Sequence, residues 1–239
     1  MEKKNKILVT GGASGIGLGL TERFLQEGNT VIVCGRREQV LKELRDKFPG
    51  VITKQCDLEN AADREALYTW ISQQHPDLNI LVNNAGIQNW MSVDDKEFYP
   101  KAEQEIAINI EAPVHLAHLF INLPSLHTIM NVTSGLSFSP FAKVPVYSAT
   151  KAFLRSFTQS LRYLLRPRNI DVIEIIPPAL NTDLGGKGLH TYAPPVSDFI
   201  ESIFEQMKQG KKELAYGTSE ERLHAGAEEL KGYFEKLNP

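Results

Sequence analysis

The chain has 239 residues, with 26 Lys+Arg against 29 Asp+Glu, a formal net charge of -3 and two cysteines. A chain of this length can bury about 70–75% of its unfolded surface, so a core needs neither disulfides nor metal. The charge balance leaves no basic footprint for nucleic acid, and no apolar run approaches the roughly 18 residues of a membrane helix.

Met1 to Lys6 run straight into Ile7-Leu8-Val9-Thr10, with no room for a secretory leader, so a cytoplasmic location is expected. Short β-branched runs then alternate with amphipathic stretches. Strands are predicted at Lys6–Thr10, Thr30–Cys34, Ile52–Cys56, Asn79–Val82, Thr128–Thr133, Asp171–Ile176 and Glu213–Tyr216. Helices are predicted near 15–27, 38–47, 60–74, 101–122, 147–166 and 195–208, with a last charged helix over 219–237 opened by Ser219. Strands apolar on both faces, each followed by a helix, describe an α/β fold: a doubly wound, seven-stranded parallel sheet of Rossmann type in one domain. Pro177–Pro195 holds four Pro and three Gly, and such a loop is expected to close over a ligand. Cys34 and Cys56 end predicted strands and suit a reducing compartment without metal-ligand spacing. His115 and His118 lie three apart on a helix without a carboxylate partner, so no metal site is expected.

Thr10-Gly11-Gly12-Ala13-Ser14-Gly15-Ile16-Gly17 follows the first strand and opens the first helix. Glycines there let the backbone approach a pyrophosphate, which rests on helix N–H groups, so Gly11, Ser14, Gly15, Ile16 and Gly17 are candidate cofactor contacts. A ribose-reading acid is expected at the end of the second strand, about 20 residues on. Arg36 and Arg37 stand there instead, and a guanidinium pairs well with a 2′-phosphate, which favours NADP(H) over NAD. Glu38 is the competing reader, though it also suits the start of the next helix. Asp57 and Leu58 close the third strand, where they suit adenine; Asp57 could equally cap the helix that follows. Asn83, Ala85 and Gly86 end the fourth strand, where small residues admit a cofactor.

Tyr147 and Lys151 are four apart and share a helix face. A phenol of ordinary pKa near 10 needs a nearby positive charge before it exchanges protons at neutral pH, and a lysine ammonium with an oxidised nicotinamide would provide it. Alone, Tyr-x-x-x-Lys usually decorates a solvated helix. Here Ser134 ends the fifth strand, where its hydroxyl could hold a substrate oxygen. Asn109 sits mid-helix, an unfavourable place for Asn without a purpose.

In these motifs, their order and their spacing, nearly the whole chain resembles the short-chain dehydrogenase/reductases, and its wording is similar to their DltE-like bacterial subgroup. The resemblance implies a tetrad of Asn109, Ser134, Tyr147 and Lys151: Tyr147 as general acid/base, Ser134 on the carbonyl oxygen, Lys151 on the tyrosine and the nicotinamide ribose, Asn109 holding a relay water. Pro177, Leu180 and Thr182 are similar to the family's Pro-Gly-x-x-x-Thr element at the carboxamide. Pro178 departs from it, standing where glycine is usual and removing an N–H and any positive φ. The resemblance further implies a homodimer or homotetramer. Trp90, Leu136, Phe138, Phe141 and Tyr192 are expected to wall the substrate pocket with Gln88, Met91, Leu184 and Leu189, a lining suited to a neutral ketone, aldehyde or secondary alcohol. NAD-dependent alcohol oxidation and a cofactor-sensing regulator on the same fold are the alternatives.

Overall fold

The computed structural model describes residues 4–239. Its strands are β1 (Lys6–Thr10), β2 (Thr30–Gly35), β3 (Ile52–Gln55), β4 (Ile80–Asn83), β5 (Thr128–Val132), β6 (Asp171–Ile176) and β7 (Glu213–Ala215). All six pairings are parallel, in the order β3-β2-β1-β4-β5-β6-β7. The helices are α1 (Gly15–Gln26), α2 (Glu38–Lys47), α3 (Ala61–Gln74), α4 (Phe98–Ile106), α5 (Ala112–Phe120), α6 (Pro145–Leu165), α7 (Val196–Lys208), α8 (Thr218–His224) and α9 (Ala227–Leu237).

Strand alternation divides the core into two layers. Ile7 and Val9 point to one face, where Leu20 and Phe24 of α1, Leu41 of α2 and Phe199, Ile203 and Phe204 of α7 cover them. Leu8 and Leu81 point to the other, under Leu67 and Ile71 of α3, Leu116 and Phe120 of α5 and Leu161 of α6. With both faces covered, no strand needs a polar side, and this explains the continuous apolar runs. The winding direction reverses between β1 and β4, so their carboxyl ends part and leave the crevice in which such sheets bind ligands. Among the described residues, no helix is long and apolar enough to cross a membrane.

Two expected helices are interrupted. The segment expected at 101–122 begins earlier, at Phe98, and holds a π-helical turn at Ala107–Glu111 between α4 and α5. Such insertions concentrate at functional sites, and this one carries Asn109. The segment expected at 219–237 is α8 and α9, parted at Ala225-Gly226, where Ala225 is extended and the Glu229 carboxylate caps the Gly226 N–H at 2.8 Å. Glycine costs helix stability, and its freed N–H found a side-chain acceptor one turn on.

Candidate active site

The glycine turn is shaped by close contacts. Gly11 has φ +63, its N–H donates to Cys34 C=O at 2.9 Å, and a Cβ on Gly17 would stand 2.3 Å from the Gly11 carbonyl oxygen. Asn84 ties this turn to β4: its Nδ2 donates to Thr10 C=O at 2.8 Å while the Thr10 hydroxyl accepts from the Asn84 and Ala85 N–H groups. Gly11, Ser14, Gly15, Ile16 and Gly17 thereby line one cavity of about 980 Å³ with Arg36, Arg37, Asp57, Leu58, Ala85 and Gly86. A backbone cradle that tolerates no Cβ, opening at a helix N-terminus, fits a pyrophosphate.

At the far side of β2, Glu38 starts α2 and pairs with Arg45 at 2.7 Å, leaving Arg36 and Arg37 as the charged side chains of β2's end that reach the cavity. Asn60, not Asp57, caps α3, accepting from the Ala62 N–H at 2.9 Å. Asp57 therefore stays at the cavity wall, where its Oδ1 accepts from the Glu59 N–H at 3.2 Å.

Tyr147 and Lys151 reach the same cavity from the first turns of α6, with Pro177 and Thr182 opposite. Pro145 begins the helix where its missing N–H costs nothing. Lys151 Nζ donates to Val132 C=O at 2.8 Å and lies 5.6 Å from the centroid of the Tyr147 ring. Burial draws this ammonium down to about 8. Burial likewise pushes the Tyr147 phenol above its ordinary value; the neighbouring Ser134 hydroxyl works against that, and the negative charge of Glu105 reinforces it. Within the protein, desolvation thus outweighs the lowering that a lysine neighbour was expected to bring.

Ser134 is buried and accepts from the Leu136 N–H at 3.1 Å, which fixes its side chain at the mouth of β5. The following turn is held by α8. A Cβ on Gly135 would come 2.5 Å from Ser219 Oγ, and the Gly135 N–H donates to Pro177 C=O at 3.0 Å. Asn109 holds the chain after β4: its Oδ1 accepts from the Ile87 N–H and its Nδ2 donates to Ile87 C=O, each at 2.9 Å, with Thr150 Oγ1 3.1 Å away.

Two expected contacts lie elsewhere. Asn83 faces beneath the sheet, its Nδ2 donating to Asn131 Oδ1 at 2.9 Å, because alternation along β4 sends residue 83 away from the crevice and leaves Asn84 at its edge. The Leu180 side chain is packed in the core beside Phe199. Pro178 is accommodated with a trans peptide bond, and the loop base closes just beyond it by an Asn181 N–H to Pro194 C=O bond of 2.9 Å. Of the expected substrate walls, Gln88 and Leu184 line the cavity, joined by Asn89 and Gly185. Trp90 packs edge-on against Phe141 at 5.6 Å and Met91 is buried, whereas Phe138 carries the Arg155 guanidinium 4.1 Å above its ring. Leu136 is half-buried, Leu189 is exposed, and Tyr192 is 79% exposed and meets His190 instead. His115 accepts from Arg64 Nε at 3.1 Å, which gives it a structural partner.

Glu105, which no sequence motif marks, is 0% exposed on α4. Its Oε1 accepts from the Asn89 N–H, its Oε2 has no partner, and burial lifts the carboxyl to about 7. The available signal was its placement one helical turn before Asn109, on the same face.

A parallel sheet in this order, a Cβ-intolerant turn after β1, and Tyr147, Lys151, Ser134 and Asn109 gathered around β5 define a nucleotide-binding oxidoreductase fold. Residues 5–192 match the family described as short chain dehydrogenase, and the chain belongs to that family. It is 41% identical to the uncharacterized oxidoreductase DltE of Bacillus subtilis (strain 168), over 98% of this chain and 96% of that one. Its identity to the NADP-dependent 3-hydroxy acid dehydrogenase YdfG of Escherichia coli (strain K12) is 34%, over 72% of this chain and 71% of the other. Among solved structures it is similar to a short-chain dehydrogenase from Sphingobium yanoikuyae in complex with NADPH, with a TM-score of 0.78, 26% identity, and coverage of 98% and 94%.

Proposed function

We propose that this protein is an NADP(H)-dependent oxidoreductase that interconverts a neutral ketone or aldehyde and its alcohol, with Tyr147 as general acid/base. The observation that carries the reading is a single cavity with Arg36 and Arg37 at one end and Tyr147 with Lys151 at the other. When bound, the nicotinamide coenzyme supplies or accepts the hydride. A guanidinium pair at the end of β2 suits a 2′-phosphate better than a ribose diol; the similar Sphingobium yanoikuyae structure is in complex with NADPH, and the 34% identical relative is NADP-dependent.

Tyr147, a phenol that burial raises still further above its ordinary value, is protonated at neutral pH, so in the reductive direction it can give its phenolic proton to the carbonyl oxygen. The Ser134 hydroxyl can donate to that same oxygen and favour the charge developing on it. Lys151, pinned by Val132 C=O, holds its ammonium beside the phenol and steadies the phenolate once the proton has gone. In the oxidative direction the phenolate recovers the proton from the alcohol. Lys151 is the one cation lining the catalytic end of the cavity among the described residues, and its ammonium is engaged by Val132 C=O, which favours an uncharged substrate over a hydroxy acid. Exposed Tyr99 and Ile106 on α4 and Phe153, Tyr163 and Leu164 on α6 support pairing into homodimers or homotetramers.

The test is oxidation of NADPH and NADH with a panel of neutral ketones and aldehydes. Tyr147→Phe should lower turnover at least ~100-fold with cofactor affinity retained. An Arg36→Ala/Arg37→Ala variant should weaken NADPH by about 10-fold or more while sparing NADH. Equal loss of both cofactors would refute the NADP assignment, and turnover retained by Tyr147→Phe would refute the acid/base role.

A further inference from the structure

Leaving β4, the chain at Ile87–Asn89 has no strand beside it, and side chains of the neighbouring helix take the place of one. Asn109 binds both backbone groups of Ile87, and Glu105, one turn earlier, binds the N–H of Asn89. The spacings agree: four helical residues rise ~6 Å, and two residues of extended chain span up to ~6.6 Å. What Glu105 holds is the substrate side of the cavity. Gln88, Asn89 and Gly185 line it, and a Cβ on Gly185 would lie 3.0 Å from Gln88 Nε2 and 3.3 Å from Trp90 Nε1. This segment is therefore the surface on which the 177–195 loop rests.

Glu105 makes no salt bridge among the described residues; its Oε2 and Asn89 Nδ2 are buried without a well-aligned hydrogen bond, and the Asn89 amide lies close enough to the carboxyl to oppose the upward shift. The elements packed around it bring Tyr147 and Lys151 from α6, Asn109 from the π turn, and the amides of Gln88 and Asn89 from the loop. Of these, Tyr147 is the titratable group on which the Glu105 charge acts, and burial draws the Lys151 ammonium down to about 8. A buried carboxyl with no cation is destabilising compared with an apolar residue of the same size, so it points to a local use.

We propose that Glu105 is a positioning residue: through the Asn89 backbone it sets the distance between the Ile87–Trp90 wall and Tyr147, and so governs substrate affinity without touching substrate. The proposal rests on the function proposed above for where the substrate sits. The anchor is strongest when ionised, since a hydrogen bond to a carboxylate is about twice as strong as a neutral one. As pH falls through about 7 the carboxyl takes up a proton and the hold on Asn89 loosens.

Two measurements on the full chain test this, with Glu105→Gln and Glu105→Ala. In amide hydrogen exchange, Glu105→Ala should speed exchange at Asn89 by about 10-fold, while Ile87, held by Asn109, changes by less than about 3-fold. In steady-state kinetics with NADPH and the best panel ketone, wild-type KM should rise about 3–10-fold from about pH 8 to about pH 6. Glu105→Gln should hold KM at the acid-side value across that range, with kcat and NADPH affinity within about two-fold of wild type. Unchanged Asn89 exchange in Glu105→Ala, or a KM limb that persists in Glu105→Gln, would overturn the proposal. Should Glu105→Ala not fold, Glu105→Gln carries the exchange arm: its Asn89 protection must lose the pH dependence seen in wild type, and retention of that dependence overturns the anchor. A wild type that turns over no carbonyl compound would overturn the proposed function alone, because the exchange arm needs no substrate.

Discussion

Glu105 and Glu174 are both 0% exposed, and each fastens a residue beside the tetrad, yet their surroundings differ. On β6, Glu174 receives Arg155 Nη1 at 2.7 Å on one oxygen and the Thr133 hydroxyl at 2.7 Å on the other. Arg155 in turn reaches Glu213 at 3.5 Å and lies over Phe138, so the whole group braces the strand end from which Ser134 projects. On α4, Glu105 meets Asn89 alone, through its backbone N–H and its side-chain amide, and among the described residues it has no cation. Burial raises both carboxyls, but only Glu174 has an arginine to oppose the shift. A fully partnered buried acid is a fixture, whereas an unpartnered one remains able to exchange its proton near neutrality.

The comparison breaks most visibly at Arg155. Arg155→Met should leave Glu174 buried without its counter-charge and cost about 3–5 kcal/mol. In a chain of this size that is a fall in melting temperature of roughly 10 °C, readable by calorimetry. Glu105 has no such partner to lose. If Arg155→Met melts like wild type, the contrast between braced and idle carboxyls is wrong.

A smaller effect comes from Glu105 itself. Its folded value of about 7 stands above the ordinary 4.5, so between these values the folded state binds more protons than the unfolded one. Stability is then fully present below the ordinary value and is lost as pH rises toward 7, by roughly 3 kcal/mol in all. Glu105→Gln removes that slope: urea unfolding should show the variant gaining on wild type by about this amount between about pH 5 and pH 8. Equal slopes would mean that the carboxyl is not desolvated in solution. The sign also separates stability from function, because the ionised form that grips Asn89 best is the one that costs the fold most.

These two acids show where sequence reading stopped. The glycine turn, the doubly wound parallel sheet and the shared helix face of Tyr147 and Lys151 were legible because strand ends, parallel winding and helix N-termini fix where backbone groups go, whatever the neighbours. Asn109 was legible as an anomaly, an amide in mid-helix. Glu105 was not, because its neighbours Glu97, Glu103 and Glu111 make the same helix read as solvated, and only the packing of α4 against α6 buries that face. Asn83 and Asn84 stand side by side at the end of β4, and only strand alternation in the folded sheet decides that Asn84 is the one that faces the glycine turn. The break at Gly226 falls between two charged stretches of helical periodicity, which read as one helix until the structure parts them.

The smallest effect sharpens the comparison from the braced side. Thr133→Val keeps shape and β-propensity but removes the hydroxyl that donates to Glu174 Oε1. A hydrogen bond to a buried carboxylate is worth about 2 kcal/mol, so the single variant should lose about that much. In an Arg155→Met background the charge on Glu174 changes. Without the arginine, burial favours the neutral acid, and Thr133 then faces an uncharged oxygen that a hydroxyl stabilises by about 1 kcal/mol. The cost of Thr133→Val should therefore halve when Arg155 is absent, a coupling of about 1 kcal/mol in a double-mutant cycle. A cycle that closes at zero would mean that Thr133 and Arg155 hold Glu174 independently, and that its charge is not what makes the brace. Pairing the same Thr133→Val change with Glu105→Gln provides the control. The two sites share no hydrogen-bond partner, so their effects should add within about 0.5 kcal/mol, and any larger coupling would show that the two acids act as one network across the tetrad.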